Sequence, residues 1–245
     1  MSIEFTAKVE SYDVQPNGNI KISSLLKILQ KAAGDDVNRT SLDYFTLAGH
    51  NIAFVLTKMS LKILSDIKIY DELTIISHPR KVRGVSFPRD FIIKIGEKTA
   101  AVASSMWVLI DLEKRSILRP SAIDSIGHLP PSDDDLFELE DVRRIVDVNS
   151  LSRTDVREVK YSFLDMNNHL NNTFYSDFLF DTIDPKLHES DVGMYLQINY
   201  KNEARIHDKL VISSLYNSEN CEYDFSAHNE ENGKVCFNAY LKFEK

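Results

Sequence analysis

Two stretches of the sequence repeat each other and decide the fold. The first is MSLKILSDIKIYDELTII at residues 59–76, and the second is LQINYKNEARIHDKLVIS at residues 196–213. Aligned on Asp71 and Asp208, at an offset of 137, both stretches alternate apolar and polar residues around a polar centre. Such alternation is typical of β-strands. The repeat therefore predicts two copies of one strand-rich unit.

An amphipathic helix precedes the repeated stretch in each copy. Apolar residues recur at helical spacing in both places, which predicts a helix laid on a sheet; they are Ile22, Leu25, Leu26, Leu29 and Ala33 in the first copy, and Leu170, Phe174, Phe178 and Leu179 in the second. We expect the second helix to cover residues 170–183. Further alternating strands follow in both copies. The predicted fold is α+β, with two similar units, each an antiparallel sheet curled around one long helix, packed side by side as a continuous sheet.

A linker separates the two copies. Residues 127–144, GHLPPSDDDLFELEDVRR, contain a pair of prolines followed by six acids between Asp133 and Asp141. Proline pairs and runs of like charge are typical of connections rather than of packed elements. We therefore predict a first unit at residues 1–125, an acidic linker at 126–150 and a second unit at 151–245.

Composition narrows the class of protein. The 245 residues are 43% hydrophobic and 27% charged, as in a soluble globular domain. The net charge of −8 argues against nucleic acid as a partner, because phosphate binding needs concentrated positive charge. No apolar run reaches the roughly 20 residues of a membrane span, and the start lacks the features of a secretory signal. With two cysteines and no disulfide framework, a cytoplasmic location is expected.

A dense polar cluster lies just before the second helix. The stretch FLDMNNHLNNTFYSDFL at 163–179 contains more Asp and Asn than capping one helix requires. In the first copy Lys21 is expected opposite His169, so one copy of the fold manages without the imidazole. Glu203 aligns with Asp66 and would present a carboxylate toward His169. Carboxylate, imidazole and carboxamide groups together suit general acid–base chemistry, although caps and a surface carboxylate would explain each residue singly.

Several motifs resemble those of acyl-ACP (acyl carrier protein) thioesterases, the plant fatty-acid-releasing enzymes and their bacterial relatives. DMNNHLNNTFY is similar to the family pattern D-[LM]-[DN]-x-N-x-H-x-N-N-x-x-Y, and INYKNEARIHD resembles a later family segment. FPRDFIIK and ASSMWVLIDLEKRSILRP resemble two family segments in the first half. The resemblance covers nearly the whole chain and implies a double hot-dog fold, in agreement with the repeat.

The resemblance also implies a function and a site. The family hydrolyses the thioester that joins a fatty acyl chain to the phosphopantetheine arm of acyl carrier protein. Carried over by position, the catalytic residues are Asp165, Asn167, His169 and Glu203, and the same motif assigns Asn171, Asn172 and Tyr175 to substrate binding. Many plant members have a Cys after the Glu, whereas this chain has Ala204. A cysteine nucleophile at that position is therefore excluded, which favours attack by activated water.

We expect the two units to divide the work. The second would supply the chemistry, with Glu203 and His169 polarising water, Asn167 positioning it or the oxyanion, and Asp165 orienting the imidazole or the amide. Helix N-termini favour negative charge, so a backbone N–H at the start of the second helix would assist. Glu203, His169 and Asp165 all remain candidates for the general base, and we favour Glu203. The first unit would supply the acyl pocket.

The partner is expected to be acyl carrier protein. Because that carrier is strongly acidic and this chain is also acidic, docking needs a local positive surface. Candidates are Arg80, Lys81, Arg83, Lys201 and Arg205. A homodimer formed edge to edge is compatible with the fold.

Other functions remain open on the sequence. An acyl-CoA thioesterase would use the same chemistry on another carrier, and a non-catalytic acyl-binding module would use only the pocket. A hot-dog dehydratase or isomerase would lack the doubled acyl-ACP-type motifs. The sequence contains no metal-ligand cluster, no glycine-rich phosphate loop and no nucleotide motif, so no cofactor is expected.

Overall fold

The computed structural model describes residues 2–129, 132, 133, 136, 137, 139, 151–188 and 192–244 of the chain. The predicted linker at 126–150 lies largely outside the described residues, and the predicted unit boundaries stay predictions. Three α-helices are present in the described residues: α1 (Ile22–Asn38), α2 (Tyr44–Gly49) and α3 (Phe174–Phe180). Strands of the first unit are β1 (Ile3–Lys8), β2 (Ile52–Ile63), β3 (Glu72–Pro79), β4 (Ser86–Ile95), β5 (Lys98–Asp111) and β6 (Ser116–Ile117). Strands of the second unit are β7 (Ser152–Glu158), β8 (Met194–Tyr200), β9 (Lys209–Asn217), β10 (Glu222–Asn229) and β11 (Val235–Phe243).

The strands form one antiparallel sheet with an internal symmetry. Their order is β1-β3-β4-β5-β2-β8-β11-β10-β9-β7, and the short β6 pairs with β5. Each half of this order repeats the other if β1 is matched with β7, β2 with β8, β3 with β9, β4 with β10 and β5 with β11. The halves join where β2 pairs with β8, from Lys58 opposite Asn199 to Lys62 opposite Tyr195. The predicted α+β double hot-dog with a continuous sheet is therefore confirmed.

The repeated stretches are strand–turn–strand units in which the two aspartates do the same work. The Asp71 carboxylate accepts a hydrogen bond from the Lys68 backbone N–H at 2.7 Å, and the Asp208 carboxylate accepts one from Arg205 at 2.8 Å. The residue before each aspartate has a positive φ, of 71° and 70°. The polar centres of the repeats are thus connections between strands. Glu203 lies in the second connection, between β8 and β9, rather than within a strand.

Helix α1 forms the centre of the first unit. Its 17 residues bury one face, on which Leu25, Leu26 and Leu29 are completely inaccessible to solvent. Burying a leucine side chain stabilises the fold by about 1.5–3 kcal/mol. These side chains belong to a core cluster that continues into the second unit, so the two units share one core.

Helix α3 is shorter than the sequence predicted. It has seven residues and begins at Phe174, whereas the apolar spacing indicated a helix over 170–183. The preceding backbone N–H groups have other partners, because Leu170 donates to the Ala204 carbonyl at 2.8 Å and Asn171 donates to the Phe163 carbonyl at 2.9 Å. The fold therefore uses both N–H groups at the predicted start of the helix, and neither is available there to a reacting oxyanion.

A smaller core cluster packs beneath α2. Its six buried members come from the first unit only: Leu42, Leu47, Ile52, Phe87, Leu109 and Ile123. Several of them also face a large cavity. Across the described ranges, no helix is both long and apolar enough to cross a membrane.

Candidate active site

A tight turn at residues 165–169 presents the polar cluster. The Asp165 backbone N–H donates to the His169 carbonyl at 2.8 Å, and Asn168 closes the turn with a φ of 60°. The first unit has the same turn, in which the Gln15 N–H donates to the Asn19 carbonyl at 2.8 Å. This geometry matches His169 with Asn19. The expectation that Lys21 lies opposite His169 is therefore wrong, because the number of residues between turn and repeat differs in the two units.

Asp165 shapes this turn through its side chain. One carboxylate oxygen accepts hydrogen bonds from the backbone N–H groups of Asn167, at 2.8 Å, and His169, at 3.1 Å. Short polar side chains commonly close turns in this way. Asp165 thus acts on the backbone that carries the other two residues, rather than on the imidazole itself.

His169 and Glu203 meet as an acid–imidazole pair. The His169 Nε2 atom lies 3.2 Å from Glu203 Oε2, with both side chains about three-quarters buried, at 23% and 29% exposure. The backbone bond from Leu170 to Ala204 clamps the turn against the connection that carries Glu203. Residues 34 positions apart are thereby held within hydrogen-bonding distance, as the repeat alignment predicted.

Two arginines also bind the Glu203 carboxylate. Arg205 Nη2 donates to Oε1 at 3.0 Å, and Arg115 Nη2 contacts Oε2, the oxygen that also faces His169. Partial burial by itself raises the pKa of Glu203. The hydrogen bonds from Arg115 and Arg205 and the nearby His169 outweigh that effect, so the net pKa lies below the ordinary value for glutamate. Glu203 is therefore held as a carboxylate.

Asn167 projects from the same turn toward the first unit. Its Oδ1 atom accepts a hydrogen bond from the Tyr44 hydroxyl at 3.0 Å. Tyr44 is the first residue of α2, whose start is capped by Asp43, because the Asp43 carboxylate accepts from the N–H groups of Phe45 and Thr46. These three cap hydrogen bonds, two of them from backbone N–H groups and one from the Thr46 hydroxyl, hold the pKa of Asp43 below its usual range.

A cavity of about 590 Å³ opens beside Asn167. Its size is typical of a small-molecule site. Apolar residues from several elements of the first unit form most of the wall, including Ala33, Val37, Leu47, Phe54, Phe87 and Trp107. Among the residues that the structure describes, Asn167 is the one wall residue contributed by the second unit. The cavity therefore lies mainly in the first unit, with residues 127–129 and 132 of the predicted linker also on its wall, and it meets the second unit at the polar turn.

A buried ion pair lies at this mostly apolar wall. Arg89, on β4, faces the cavity and is almost completely buried. Its guanidinium donates to Asp36 of α1 at 2.6 Å and to the Ser77 hydroxyl at 2.7 Å. Burial lowers the pKa of Arg89, while the Asp36 carboxylate acts in the opposite direction. The pair ties α1 to the sheet beneath the cavity.

The three residues assigned to substrate binding lie away from the cavity. Asn171 accepts hydrogen bonds from the Thr173 N–H and hydroxyl, at 3.0 and 2.8 Å, and so closes the turn before α3. Tyr175 is buried among Tyr200 and Phe237. Of the described residues, the cavity wall includes neither these two nor Asn172. Their assignment to substrate stays a prediction, and the contacts of Asn171 and Tyr175 are structural.

The basic residues assigned to carrier docking separate into two groups. Lys81, Arg83, Lys201 and Arg205 are exposed. Arg80 differs, because only 11% of its side chain is exposed, it lies near Asp90 at 3.5 Å and it lines the cavity. Arg80 directly follows β3 and its side chain is turned inward, so a place on a docking surface does not fit its position.

Neither cysteine is placed for nucleophilic catalysis. Cys236 is buried in β11, and burial raises its pKa to about 11, which disfavours the reactive thiolate. Cys221 lies in the turn between β9 and β10. Ala204, at the position where many plant relatives have a cysteine, is completely buried.

Sequence reasoning missed two residues of the site. Tyr44 and Arg115 both come from the first unit and contact Asn167 and Glu203 across the junction. Arg115 lies within a segment that resembles the acyl-ACP thioesterase family, but nothing in its local pattern indicates its distant partner.

Two antiparallel units in one sheet, with an acid–imidazole pair whose turn also places Asn167 on the wall of a mostly apolar cavity, define the class of double hot-dog thioesterases. The model of the acyl-ACP thioesterase N-terminal domain matches residues 3–122, and that of the C-terminal domain matches residues 149–245. The chain therefore belongs to the acyl-ACP thioesterase family and is a thioester hydrolase acting on fatty acyl-ACP. No curated protein matches the sequence.

Solved structures share the fold at low sequence identity. An acyl-ACP thioesterase from Bacteroides thetaiotaomicron has a TM-score of 0.87 and 22% identity, with 99% of this chain and 98% of that chain covered. A putative oleoyl thioesterase from Lactobacillus plantarum has a TM-score of 0.81 and 17% identity, with 100% and 98% covered. The 12:0-ACP thioesterase of Umbellularia californica has a TM-score of 0.81 and 14% identity, with 99% and 97% covered.

Proposed function

We propose that the enzyme hydrolyses fatty acyl-ACP by water attack at the polar turn, with the acyl chain in the cavity of the first unit. The observation that carries this proposal is the position of one turn. It holds His169 at 3.2 Å from Glu203 and also places Asn167 on the cavity wall. A thioester at the cavity mouth would lie beside a base and an amide donor at once.

The proposed base is His169, with Glu203 orienting it. The sequence favoured Glu203 as the base, but its carboxylate accepts from two arginines and has a lowered pKa. A stabilised carboxylate is a weak base, whereas imidazole is the usual general base near neutral pH. Ionised Glu203 would instead stabilise the imidazolium that forms when His169 accepts a proton.

The reaction then balances without a cofactor. The water molecule donates a proton to His169 while the water oxygen forms a bond to the thioester carbonyl carbon. The resulting oxyanion accepts a hydrogen bond from the Asn167 amide N–H. The C–S bond breaks, the imidazolium returns its proton to the leaving sulfur, and the products are a fatty acid and the free thiol of the carrier. Asp165 takes no proton in this scheme and keeps the turn in shape.

Docking of the carrier is proposed at one end of the sheet. Five neighbouring strands have directly paired residues that form one row across the sheet. They are Pro79 of β3, Arg89 of β4, Ser105 of β5, Met59 of β2 and Ile198 of β8. Strands β3 and β8 run in the same direction, so the chain after Pro79 and the chain after Ile198 leave at the same end. Lys81, Arg83, Lys201 and Arg205 follow there, and a positive edge suits an acidic carrier protein. A cytoplasmic location and a homodimer stay predictions.

The test is thiol release from matched panels of acyl-ACP and acyl-CoA, from medium to long chains. We expect faster release from the ACP forms, and loss of release in His169→Ala. His228→Ala, which removes an imidazole from β10, is the control and should leave turnover unchanged. Near-normal turnover in His169→Ala would disprove the assigned site, and equal or better use of acyl-CoA would disprove carrier specificity.

A further inference from the structure

We infer that the first unit completes the catalytic apparatus as well as holding the acyl chain, with Arg115 and Tyr44 as positioning residues for Glu203 and Asn167. The inference rests on the proposed function, because it takes Glu203 and Asn167 as working groups. Both contacts cross from the first unit to the second. The active site would then be formed only when the two units pack together.

Arg115 is delivered by a preorganised turn between β5 and β6. The Asp111 carboxylate accepts from the backbone N–H groups of Glu113, at 3.0 Å, and Lys114, at 2.8 Å. The Arg115 N–H donates to the Asp111 carbonyl at 2.9 Å, and Arg115 itself has a φ of 55°. A residue held by a closed turn reaches Glu203 without much further ordering of the backbone.

Arg115 binds the oxygen of Glu203 that matters for His169. The Oε2 atom faces both Arg115 and His169 Nε2, whereas Arg205 binds Oε1. Each carboxylate oxygen therefore has its own arginine, which fixes the plane of the carboxylate relative to the imidazole. A carboxylate held in this way can orient His169 and balance its charge during proton transfer.

Tyr44 fixes Asn167 in a comparable way. A carboxamide oxygen is an acceptor and its nitrogen is a donor, so a hydrogen bond from the Tyr44 hydroxyl to Oδ1 leaves Nδ2 as the group available to a substrate. Tyr44 and Asn167 both line the cavity. The arrangement presents amide hydrogens, and not the amide oxygen, to a carbonyl at the cavity mouth.

An Arg115–Glu203 ion pair that served only the fold would affect stability and would not affect the pH profile of kcat. Arg115 is 48% exposed, and pairs of that exposure contribute little to stability. Removing Arg115 should therefore leave the melting temperature nearly unchanged. Removing a positive charge raises the pKa of nearby titratable groups, so the acid limb of the kcat profile should move to higher pH whichever group is the base.

The first experiment compares the kcat profiles of Arg115→Ala, Arg115→Lys and Arg119→Ala against pH. We expect Arg115→Ala to lower kcat about tenfold, as misplaced catalytic groups do, and to shift the acid limb upward. Arg115→Lys should restore the acid limb but only part of kcat. Arg119→Ala removes an exposed arginine of the same segment and should match the wild type. An unshifted acid limb in Arg115→Ala would overturn the role of Arg115.

The second experiment uses Tyr44→Phe, which keeps the ring on the cavity wall and removes only the hydroxyl. We expect kcat to fall roughly fivefold, the effect of one lost hydrogen bond, while KM stays the same. Tyr12→Phe removes an exposed hydroxyl elsewhere and serves as the control. A rise in KM at constant kcat would make Tyr44 a wall residue only and overturn its positioning role.

His169→Ala, assayed beside these variants, distinguishes a failure of this inference from a failure of the proposed function. If His169→Ala is inactive and the Arg115 and Tyr44 variants are normal, the inference fails and the proposed function stands. If His169→Ala is active, the proposed site itself fails.

Discussion

The same turn occurs in both units, and only one of the two carries an imidazole. In the second unit His169 Nε2 lies 3.2 Å from Glu203. In the first unit the Asn19 amide donates to Asp66 at the same distance of 3.2 Å. The backbone hydrogen bonds around the two turns also correspond. The fold therefore needs a polar side chain at this place to bind the carboxylate, but it does not need an imidazole.

The chemical difference between the turns lies in proton transfer. An asparagine amide neither gains nor loses a proton near neutral pH, whereas an imidazole does both. A cation accompanies the carboxylate in both units, since Lys68 lies 3.5 Å from Asp66 and Arg205 lies 3.0 Å from Glu203. The two units therefore make the same polar contact, and only the second unit places an imidazole in it, at position 169.

The two units also differ in their helices and in the cavity space beside them. Helix α1 has 17 residues and borders the cavity of about 590 Å³, whereas α3 has seven. In the second unit Tyr175, Tyr200 and Phe237 pack their rings together near the start of α3. The first unit therefore contains the cavity, and the second contains the residues proposed to be reactive.

The most severe test of this comparison converts the second turn into the first. His169→Asn should lower kcat by about 10²–10⁴-fold, the contribution of a general base. The melting temperature should change little, because Asn19 occupies the equivalent turn. Thiol release and thermal denaturation measure the two effects.

The reciprocal change is the control for that test. Asn19→His in the His169→Asn background should not restore turnover, because the cavity borders the other turn. Restored turnover would show that the imidazole alone, and not its place beside the cavity, makes a site.

A second test addresses the cavity. Ala33→Leu adds volume to the wall of the cavity on α1 and should lower kcat/KM roughly tenfold for the longest chains accepted, since each buried methylene contributes about 0.8 kcal/mol. Shorter chains should be unaffected in the same acyl-ACP panel. Ala48→Leu, on α2 but outside the cavity wall, is the matched control. A uniform loss at all chain lengths would contradict the assignment of the cavity to the acyl chain.

The smallest expected effect distinguishes the paired aspartates. Asp71→Ala and Asp208→Ala each remove one turn-closing hydrogen bond and should lower the free energy of unfolding by about 1 kcal/mol. Only Asp208→Ala should reduce kcat, because its turn carries Glu203. Chemical denaturation and thiol release check both statements, and an equal loss of kcat in the two variants would contradict the division of labour.

Much of the architecture could be predicted from the sequence because the signals are local or repeated. The offset between Asp71 and Asp208 predicted two copies of one unit, and the alignment of Glu203 with Asp66 brought Glu203 toward His169. Helix length could not be predicted in the same way. The apolar spacing from Leu170 is helical, yet Leu170 lies outside α3 and its N–H donates to the distant Ala204.

The local sequence pattern also did not predict the direction of individual side chains. Arg80 lies in a basic run, but its side chain points inward toward Asp90. Tyr175 lies in a motif rich in polar residues, but its ring belongs to the core. In both cases the direction of the side chain depends on the distant residues packed against it, which composition does not reveal.

The sequence by itself determined the doubled fold, the family and the four residues of the polar turn and its partner connection. Only the tertiary structure decided which cavity faces them, how Glu203 is charged, and that Tyr44 and Arg115 reach them. The reason is physical. Strand and helix periodicities are properties of neighbouring residues, whereas a catalytic geometry depends on contacts between residues such as Tyr44 and Asn167, which approach one another only when the two units pack.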